Sequence, residues 1–317
     1  MTDSGLVLGV DIGGTNTDLG LVDRAGACAA LASLPTRAEE PVHVFLPRLA
    51  AAAKVLLAGR EPVAIGIGAP NGNALRCSIE DPPNLAWGRV DLSAALTPWF
   101  SAPVAVDNDA NAAALGELRF GAAKGMRDFI VITLGTGLGS GLVVDGRLLR
   151  GSTGLAGEIG HVTVDPAGRP CGCGRLGCLE TYASATGLVT TLREWLADRS
   201  QASSLGGLEP AALTAEAIHR AARGGDALAL EGFRYTGELL GRKLADSVAH
   251  SSPEAIFLLG GLARAGDLLF TPVRRSLEAH LFAPFRGTVK LLPSGIDGNA
   301  AVLGAAALGW DLLDASR

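Results

Sequence analysis

The stretch LVLGVDIGGTNTDLGLVDRAG (residues 6–26) carries the pattern that decides the fold. It predicts a buried strand, a glycine-rich turn and a second strand, which together form a hairpin. The same pattern returns in FIVITLGTGLGSGLVVDGRLLRG (129–151). Strands and helices alternate through most of the remaining chain, which favours an α/β fold. The sequence therefore predicts an internal duplication, with one hairpin heading each of two lobes.

Further elements follow from hydrophobic spacing and from turn residues. Residues 71–100 look rich in loops, and 199–210 resembles a linker in a surface loop. A strand ending at Val106 is followed by a helix that Asn108 or Asp109 caps. The other predicted helices and strands are a helix in 41–60, a strand at 63–70, helices at 183–198 and 211–250, a strand, Gly-Gly turn and helix in 253–270, a strand in 287–295, and a last helix in 297–310.

Composition and charge exclude several classes of protein. The chain has 317 residues, of which 48% are hydrophobic and 19% charged, and its net charge is −5. This acidic balance and the lack of a Lys/Arg cluster argue against nucleic acid as a partner. The first residues lack the pattern of a signal peptide, and no apolar run reaches the ~20 residues of a membrane helix. We therefore expect a cytoplasmic protein without a membrane partner.

The glycine-rich turns are candidate phosphate sites. In DIGGTN (11–16), the N–H groups of Gly13 and Gly14 and the hydroxyl of Thr15 could donate to phosphate oxygens. Asp11 could orient water around Mg²⁺. The simpler alternative is a hairpin turn that merely needs glycine. The motif is not a Walker loop, because no GxxxxGK[ST] is present.

A second turn of this type lies in LGTGLGSG (134–141), with Gly135, Thr136 and Gly137 at its tip. Two such hairpins facing one another could hold a triphosphate from both sides. Gly260 and Gly261 follow a strand, where a flat adenine could lie on the backbone. A plain turn explains both motifs as well.

Asp109 has two interpretations. Asn108 and Asp109 are preferred N-cap types, and a cap alone would explain them. Asp109 could also accept a hydroxyl proton at the start of the helix, since phosphoryl transfer asks of the base mainly that it be well positioned. From the residues alone, the cap is the better explanation.

The segment GEIGHVTVDPAGRPCGCGRLGCLE (157–180) holds the strongest signal. His161, Cys171, Cys173 and Cys178 supply one imidazole and three thiolates, a closed set for a structural tetrahedral Zn²⁺. The alternative is a chance cluster of free cysteines. Glu158 and Glu180 bracket this cluster, and with the imidazole they suit several adjacent sugar hydroxyls. They could equally be solvated loop charges.

With these residues in hand, the chain resembles the ROK family of repressors, open reading frames and kinases. The resemblance covers nearly the whole chain and runs in order through DIGGTNTDLGLVD, DNDANAAALGE, TLGTGLGSGLVVDGRLLRG, the cysteine segment and LLGGLA. It implies an actin-like, hexokinase-type (ribonuclease H-like) α/β fold of two lobes with a small zinc knot, and ATP and sugar between the lobes. We expect the lobes at 1–110 with 298–317 and at 111–297.

The resemblance also implies roles for individual residues. Asp109 matches the catalytic base that takes the proton from the 6-hydroxyl of the sugar, which reverses the preference stated above. The other matches are Asn108, Glu158, His161 and Glu180 for the sugar; Asp11, Gly13, Gly14, Thr15, Gly135, Thr136 and Gly137 for the ATP phosphates and Mg²⁺; Gly260 and Gly261 for adenosine; and His161, Cys171, Cys173 and Cys178 for zinc. Family analogy further implies a homodimer.

The implied function is ATP-dependent phosphorylation of a hexose, with glucose first among the sugars. N-acetylmannosamine, N-acetylglucosamine and fructose are alternatives. The sequence departs from the family at Asn71, where a Pro-Gly pair is usual, with Asn73 close behind; this loop lies near the sugar in the family. A sugar-responsive regulator is less expected, because no room for a helix-turn-helix precedes Asp11. A sugar-binding protein without catalysis is a third alternative.

Overall fold

The structure is a computed structural model that describes residues 5–82, 84–198, 202–296 and 298–315. The first part of the chain forms β1 (Val7–Ile12), β2 (Asn16–Val22), β3 (Cys28–Pro35), α1 (Val42–Leu57), β4 (Ala64–Ala69), β5 (Gly72–Asn73), β6 (Ser78–Ile79), β7 (Val90–Asp91), α2 (Leu92–Leu96), β8 (Val104–Asn108) and α3 (Asp109–Phe120). The second part forms β9 (Phe129–Leu134), β10 (Leu138–Val144), β11 (Arg147–Leu148), α4 (Ala185–Asp198), α5 (Ala215–Arg223), α6 (Ala227–Ser251), β12 (Ala255–Leu259), α7 (Asp267–His280), β13 (Lys290–Pro293) and α8 (Ala300–Ala315).

Two five-stranded sheets repeat one topology. The first has the order β3-β2-β1-β4-β8 and the second β11-β10-β9-β12-β13. In the first sheet β1 and β2 are antiparallel, whereas β1, β4 and β8 are parallel; in the second, β9, β12 and β13 are parallel. Counted in chain order within each sheet, both follow the same sequence of strands. This agrees with the internal duplication and the α/β class predicted from the two hairpins.

The chain divides into two compact units. One contains the described residues up to Met126, together with Gly141–Gly157 and those from Ser294 onward. The other contains Arg127–Ser140 and Glu158–Pro293. The two lobes expected from the sequence, 1–110 with 298–317 and 111–297, stay a prediction.

In the first unit, α8 lies directly on the sheet. A Cβ on Gly66 in β4 would overlap the carbonyl oxygen of Ala305, and one on Gly9 in β1 would lie 2.9 Å from the backbone nitrogen of Ala306. Close contact of this kind needs small residues on both surfaces. The Ala- and Gly-rich sequence of α8 is therefore explained by its packing, and the buried ring of Trp310 completes the contact.

In the second unit the core lies around β9, β12 and the helices that cover them. The rings of Phe129 and Phe257 meet edge to face with their centroids 5.8 Å apart. Helix α6 approaches α7 closely at Gly241, where a Cβ would lie 2.8 Å from the backbone nitrogen of Leu277. None of the described helices has the length and apolar character needed to cross a bilayer.

The structure refines two expectations about elements. The stretch 71–100 is rich in loops as expected, and it also contains a small sheet of β5, β6 and β7 and the short helix α2. The helix expected over 211–250 is divided, since Gly224 and Gly225 end α5 and the side chain of Asp226 caps α6 by accepting the N–H of Ala229. Of the predicted linker 199–210, residues 199–201 lie outside the described residues.

Candidate active site and metal centre

Carboxylates gather where the parallel strands of the first sheet end. Asp11 lies near the end of β1 and faces Asp18 across the hairpin, while Asp109 follows β8. Between them, a Cβ on Gly68 of β4 would lie 3.5 Å from Asp11 Oδ1 and 3.7 Å from the Cα of Asp109. Burial, followed by the charges of Asp109 and Asp18, raises the pKa of Asp11 to about 7. Near neutral pH this group can exchange its proton for a cation.

The structure assigns the cap of α3 to Asn108. Its Oδ1 accepts the N–H of Ala110 at 2.8 Å, and Oδ1 of Asp109 accepts the same N–H at 2.8 Å. Desolvation raises the pKa of Asp109, and the N–H of Ala110 offsets part of that rise. The side chain is nevertheless exposed, so a hydroxyl group can reach it. Asn108 and Asp109 therefore share the N–H of Ala110, while Asp109 stays exposed.

The turn between β1 and β2 is closed from within. The N–H of Gly13 donates to the carbonyl of Asn16 at 3.0 Å, and Thr36 fixes the turn through its hydroxyl to Gly13 (2.7 Å) and its N–H to Thr15 (2.9 Å). The expected phosphate donor Gly13 is thus occupied. Within the described part of the chain, no group accepts the N–H of Gly14 or Thr15. These two N–H groups can still receive an anion.

The turn between β9 and β10 repeats this arrangement. The N–H of Gly135 closes the turn on the carbonyl of Gly137 at 3.1 Å, and the carbonyl of Gly135 accepts the N–H of Ala185 at 2.9 Å. The N–H groups of Thr136 and Gly137 donate to no acceptor among the residues described. The two hairpins therefore share one pattern, in which the first glycine holds the turn and the next two N–H groups stay available.

The Gly-Gly turn after β12 lies beside this second hairpin. Gly260 has φ +100°, and a Cβ there would come within 2.9 Å of the backbone nitrogen of Leu134, the last residue of β9. Nη2 of Arg264 lies 3.7 Å from the Cβ position of Gly261. Arg264 also borders a cavity of about 580 Å³ between α5, α6 and α7. The other residues that line the cavity include His219, Arg223, Leu230, Arg234, Leu268 and Arg275.

The four predicted metal ligands come together. The ligand atoms of His161, Cys171, Cys173 and Cys178 all lie within 4.8 Å of one another. His161 Nδ1 is 3.6 Å from Cys171 Sγ, and the Sγ atoms of Cys173 and Cys178 are 3.6 Å apart. A tetrahedral zinc site with Zn–S bonds of about 2.3 Å places its sulfurs about 3.8 Å apart. The donor set and its spacing therefore fit Zn²⁺.

The backbone around the cluster is fixed by its own hydrogen bonds. The N–H of Cys171 donates to the carbonyl of Arg175 at 2.9 Å, and the N–H of Gly177 to that of Arg169 at 2.7 Å. Gly177 has φ +67°, and a Cβ there would overlap the carbonyl of Asp165. Only glycine fits that position, so the turn that presents Cys178 depends on it.

The predicted sugar ligands of the second unit surround this cluster. Nδ1 of His161 faces the sulfurs, which leaves Nε2 for another partner. Oε1 of Glu180 lies 2.9 Å from Cys171 Sγ and 3.6 Å from His161 Nδ1. A Cβ on Gly137 would lie 2.8 Å from Oε2 of Glu180, so that carboxylate borders the phosphate-type turn as well. Glu158 is exposed just before the 3₁₀ turn that carries His161.

The departure at Asn71 falls in a tight backbone turn. Asn71 adopts φ +52°, a left-handed conformation that glycine favours and asparagine tolerates. Its Nδ2 donates to the carbonyls of Glu80 and Asp81 at 3.0 and 3.1 Å. Asn73 is buried, and its Nδ2 donates to the carbonyl of Thr153 at 2.9 Å. The loop is therefore held by side-chain bonds.

The predicted residues form one group in each compact unit. Asp11, the turn at 13–15, Asn108 and Asp109 belong to the first. The turn at 135–137, Glu158, the metal ligands, Glu180 and the Gly-Gly turn belong to the second. Sequence reasoning missed Asp107, a buried acid next to Asn108, because its partner Arg150 lies 43 residues away and no local motif joins them.

Comparison with known proteins agrees with this arrangement. The family model described as "ROK family" matches residues 7–311. A glucokinase of Streptomyces coelicolor is 36% identical over 314 residues, covering 96% of this chain and 97% of its own length. The crystal structure of a ROK family glucokinase from Streptomyces griseus, in complex with glucose and AMPPNP, superposes with a TM-score of 0.84 at 36% identity and covers 97% of this chain and 100% of that one.

The relatives include transcriptional repressors as well as kinases. The xylose repressor of Bacillus subtilis is 30% identical over 226 residues, which cover 71% of this chain and 55% of that protein. The region that the family model matches, residues 7–311, includes both sheets, both glycine-rich hairpins and the cysteine cluster of the present chain. With the two-lobed, actin-like ATPase fold that its repeated sheets form, this protein belongs to the ROK family.

Proposed function

We propose that this protein is an ATP-dependent hexose kinase that phosphorylates the 6-hydroxyl of its sugar, with glucose as the first candidate. The observation that carries the proposal is the start of α3, where Asn108 caps the helix and leaves the carboxylate of Asp109 exposed. Glucokinases that match nearly the whole chain support the choice of substrate.

Asp109 is proposed as the base. Phosphoryl transfer needs a group that is aligned with the attacking hydroxyl and can take its proton. The raised pKa of Asp109 makes it a better proton acceptor than an ordinary aspartate, provided that it is ionised at the working pH. We propose Asn108, Glu158, Nε2 of His161 and Glu180 as donors and acceptors for the other sugar hydroxyls.

The phosphoryl donor is proposed to be ATP with Mg²⁺. The available N–H groups of Gly14, Thr15, Thr136 and Gly137 suit phosphate oxygens. The adenine of ATP would lie along the Gly-Gly turn at 260–261, toward the cavity that Arg264 borders. Asp11, whose pKa is raised to about 7 by burial and by the nearby Asp109 and Asp18, would hold the water around Mg²⁺. The ion would neutralise charge on the phosphates.

Zinc is proposed as a structural ion. The four ligands leave no position open for water or substrate, so zinc would not take part in the reaction. It would hold the ring of His161 and the segment that carries Glu180 in place. A cytoplasmic location and a homodimer stay predictions.

An assay of ADP release over a sugar panel tests the function. The panel contains glucose, fructose, N-acetylglucosamine and N-acetylmannosamine, each with ATP and Mg²⁺. We expect turnover on glucose, and preference for another of these sugars would reassign the substrate. Sugar binding without turnover on any sugar would instead favour a non-catalytic sugar-binding protein; repressors occur among the relatives.

The variant Asp109→Asn tests the assignment of the base. We expect kcat to fall by about 10²–10⁴-fold, because the amide cannot accept the hydroxyl proton. Sugar affinity measured by calorimetry should change little, and the exposed control Glu61→Gln should behave as the wild type in both measurements. Normal turnover in Asp109→Asn would refute the role of the base.

A further inference from the structure

Asp107, the residue before the Asn108–Asp109 pair, is a fully buried carboxylate. Both of its oxygens accept hydrogen bonds. Oδ1 accepts the N–H of Asn108 and Nδ2 of Asn111, each at 2.8 Å, and Oδ2 accepts Nε of Arg150 at 2.8 Å. A buried carboxylate is tolerated only where such donors replace water.

The partner of Asp107 comes from a distant part of the chain. Arg150 follows β11, and its side chain is 28% exposed while that of Asp107 is not exposed at all. The segment that carries Arg150 is itself fixed, because the N–H of Leu149 donates to Leu142 at 2.8 Å and the carbonyl of Arg150 accepts the N–H of Ala156 at 3.1 Å. The guanidinium therefore extends to Asp107 from a segment whose backbone is held by hydrogen bonds.

These bonds hold the peptide that leads into Asp109. The N–H of Asn108 is bound to Asp107, and Asn111, on the first turn of α3, is bound to the same oxygen. On the other side, Gly72 packs so closely that a Cβ there would lie 2.9 Å from the nitrogen of Asn108. The backbone of Asn108 and the first turn of α3 are therefore both bound to the carboxylate of Asp107, whose other oxygen is bound to Arg150.

We propose that Asp107, paired with Arg150, is a positioning residue that aims Asn108 and Asp109 at the hydroxyl to be phosphorylated. This inference rests on the proposed kinase function. Its alternative is that the buried pair serves stability alone. The two differ in kinetics, because misplacing a reacting group by a small distance lowers kcat even in a folded enzyme.

Two variants remove the pair in different ways. Asp107→Asn keeps the shape, but its amide has one acceptor oxygen, so one set of donors must face an N–H group. Arg150→Ala leaves the space of the side chain open to a small cation. Arg147→Ala is the matched control, because Arg147 is an exposed arginine in β11 of the same segment.

We expect both variants to lose about 10²-fold in kcat at a temperature where they are folded, with the KM of the sugar changed by less than about threefold. Guanidinium at low concentration should restore part of kcat in Arg150→Ala, and should restore none in Asp107→Asn or in the control. Arg150→Lys should be intermediate, since it keeps the charge but not the planar donor.

Two results would overturn the inference while the kinase function stands. One is a lowered unfolding temperature with wild-type kcat in the folded variants, which would make the pair structural only. The other is a loss of kcat in Arg150→Ala that guanidinium leaves unchanged. If the wild type phosphorylates no sugar, the inference falls together with the proposed function.

Discussion

At the scale of single residues, the carboxyl of Asp11 lowers the stability of the folded protein near neutral pH, and the same carboxyl is proposed to act in the binding of Mg²⁺. Its folded-state pKa is about 7, against an ordinary value of 3.8. Below about pH 3 the carboxyl is mostly protonated in both the folded and the unfolded chain. As the pH rises toward 7, the unfolded chain ionises first, so the folded chain loses stability until the folded pKa is passed.

This linkage predicts that Asp11→Asn is more stable than the wild type at about pH 8, by up to about 4 kcal/mol, and equally stable near about pH 3. Urea unfolding at several pH values measures the difference. The control Glu61→Gln, an exposed acid, should leave the pH dependence unchanged. An Asp11→Asn variant that is less stable than the wild type at about pH 8 would contradict the raised pKa.

Residue types also mark the limit of what the sequence could predict for the site. The cysteine spacing predicted the metal ligands, and the structure confirms that they meet. The sequence could not decide whether Asn108 or Asp109 caps α3, because both types cap helices equally well. It could not identify the pair of Asp107 and Arg150 either, since that contact depends on the tertiary fold.

At the scale of elements, the turns were predicted better than the irregular stretches. Both glycine-rich hairpins form as expected, because glycine at a turn between two apolar runs is a local signal. The small sheet of β5, β6 and β7 has two residues per strand, too short for any periodicity to show. The division between α5 and α6 depends on Gly224, Gly225 and the cap at Asp226, which the helical spacing around them concealed.

The cysteine segment is an element whose fold is predicted to depend on its metal. Burial raises the pKa of the thiols of Cys171 and Cys178, so without a cation these groups keep their protons. We expect about one zinc ion per chain in the purified protein. Cys178→Ser should lose the metal and lower the unfolding temperature by roughly 5 °C or more.

Metal analysis and thermal unfolding measure these two effects. Cys28→Ser is the matched control, because Cys28 lies in β3, outside the cluster, and a hydroxyl can replace its bond to the carbonyl of Ala30. It should keep both the zinc and the wild-type stability. A protein that is free of metal yet fully folded would refute the structural role of zinc.

At the scale of the whole molecule, the repeated topology explains why one sequence pattern could predict two sheets. Each hairpin starts a sheet, and the strands after it join in the same order. What the pattern could not predict is the closure of the first unit by the end of the chain. Helix α8 packs on strands β1 and β4, more than 200 residues earlier in sequence, because small residues let the backbones approach.

This closure predicts that Gly66→Ala destabilises the protein, although the substitution adds only one methyl group. A Cβ at this position would overlap the carbonyl of Ala305, so α8 must move away from the sheet. Forcing extra atoms into a packed contact costs about 1–3 kcal/mol. Urea unfolding measures that loss against Gly88→Ala, where a Cβ would meet nothing within 4 Å. Equal stability of the two variants would show that α8 does not rest on the sheet at this distance.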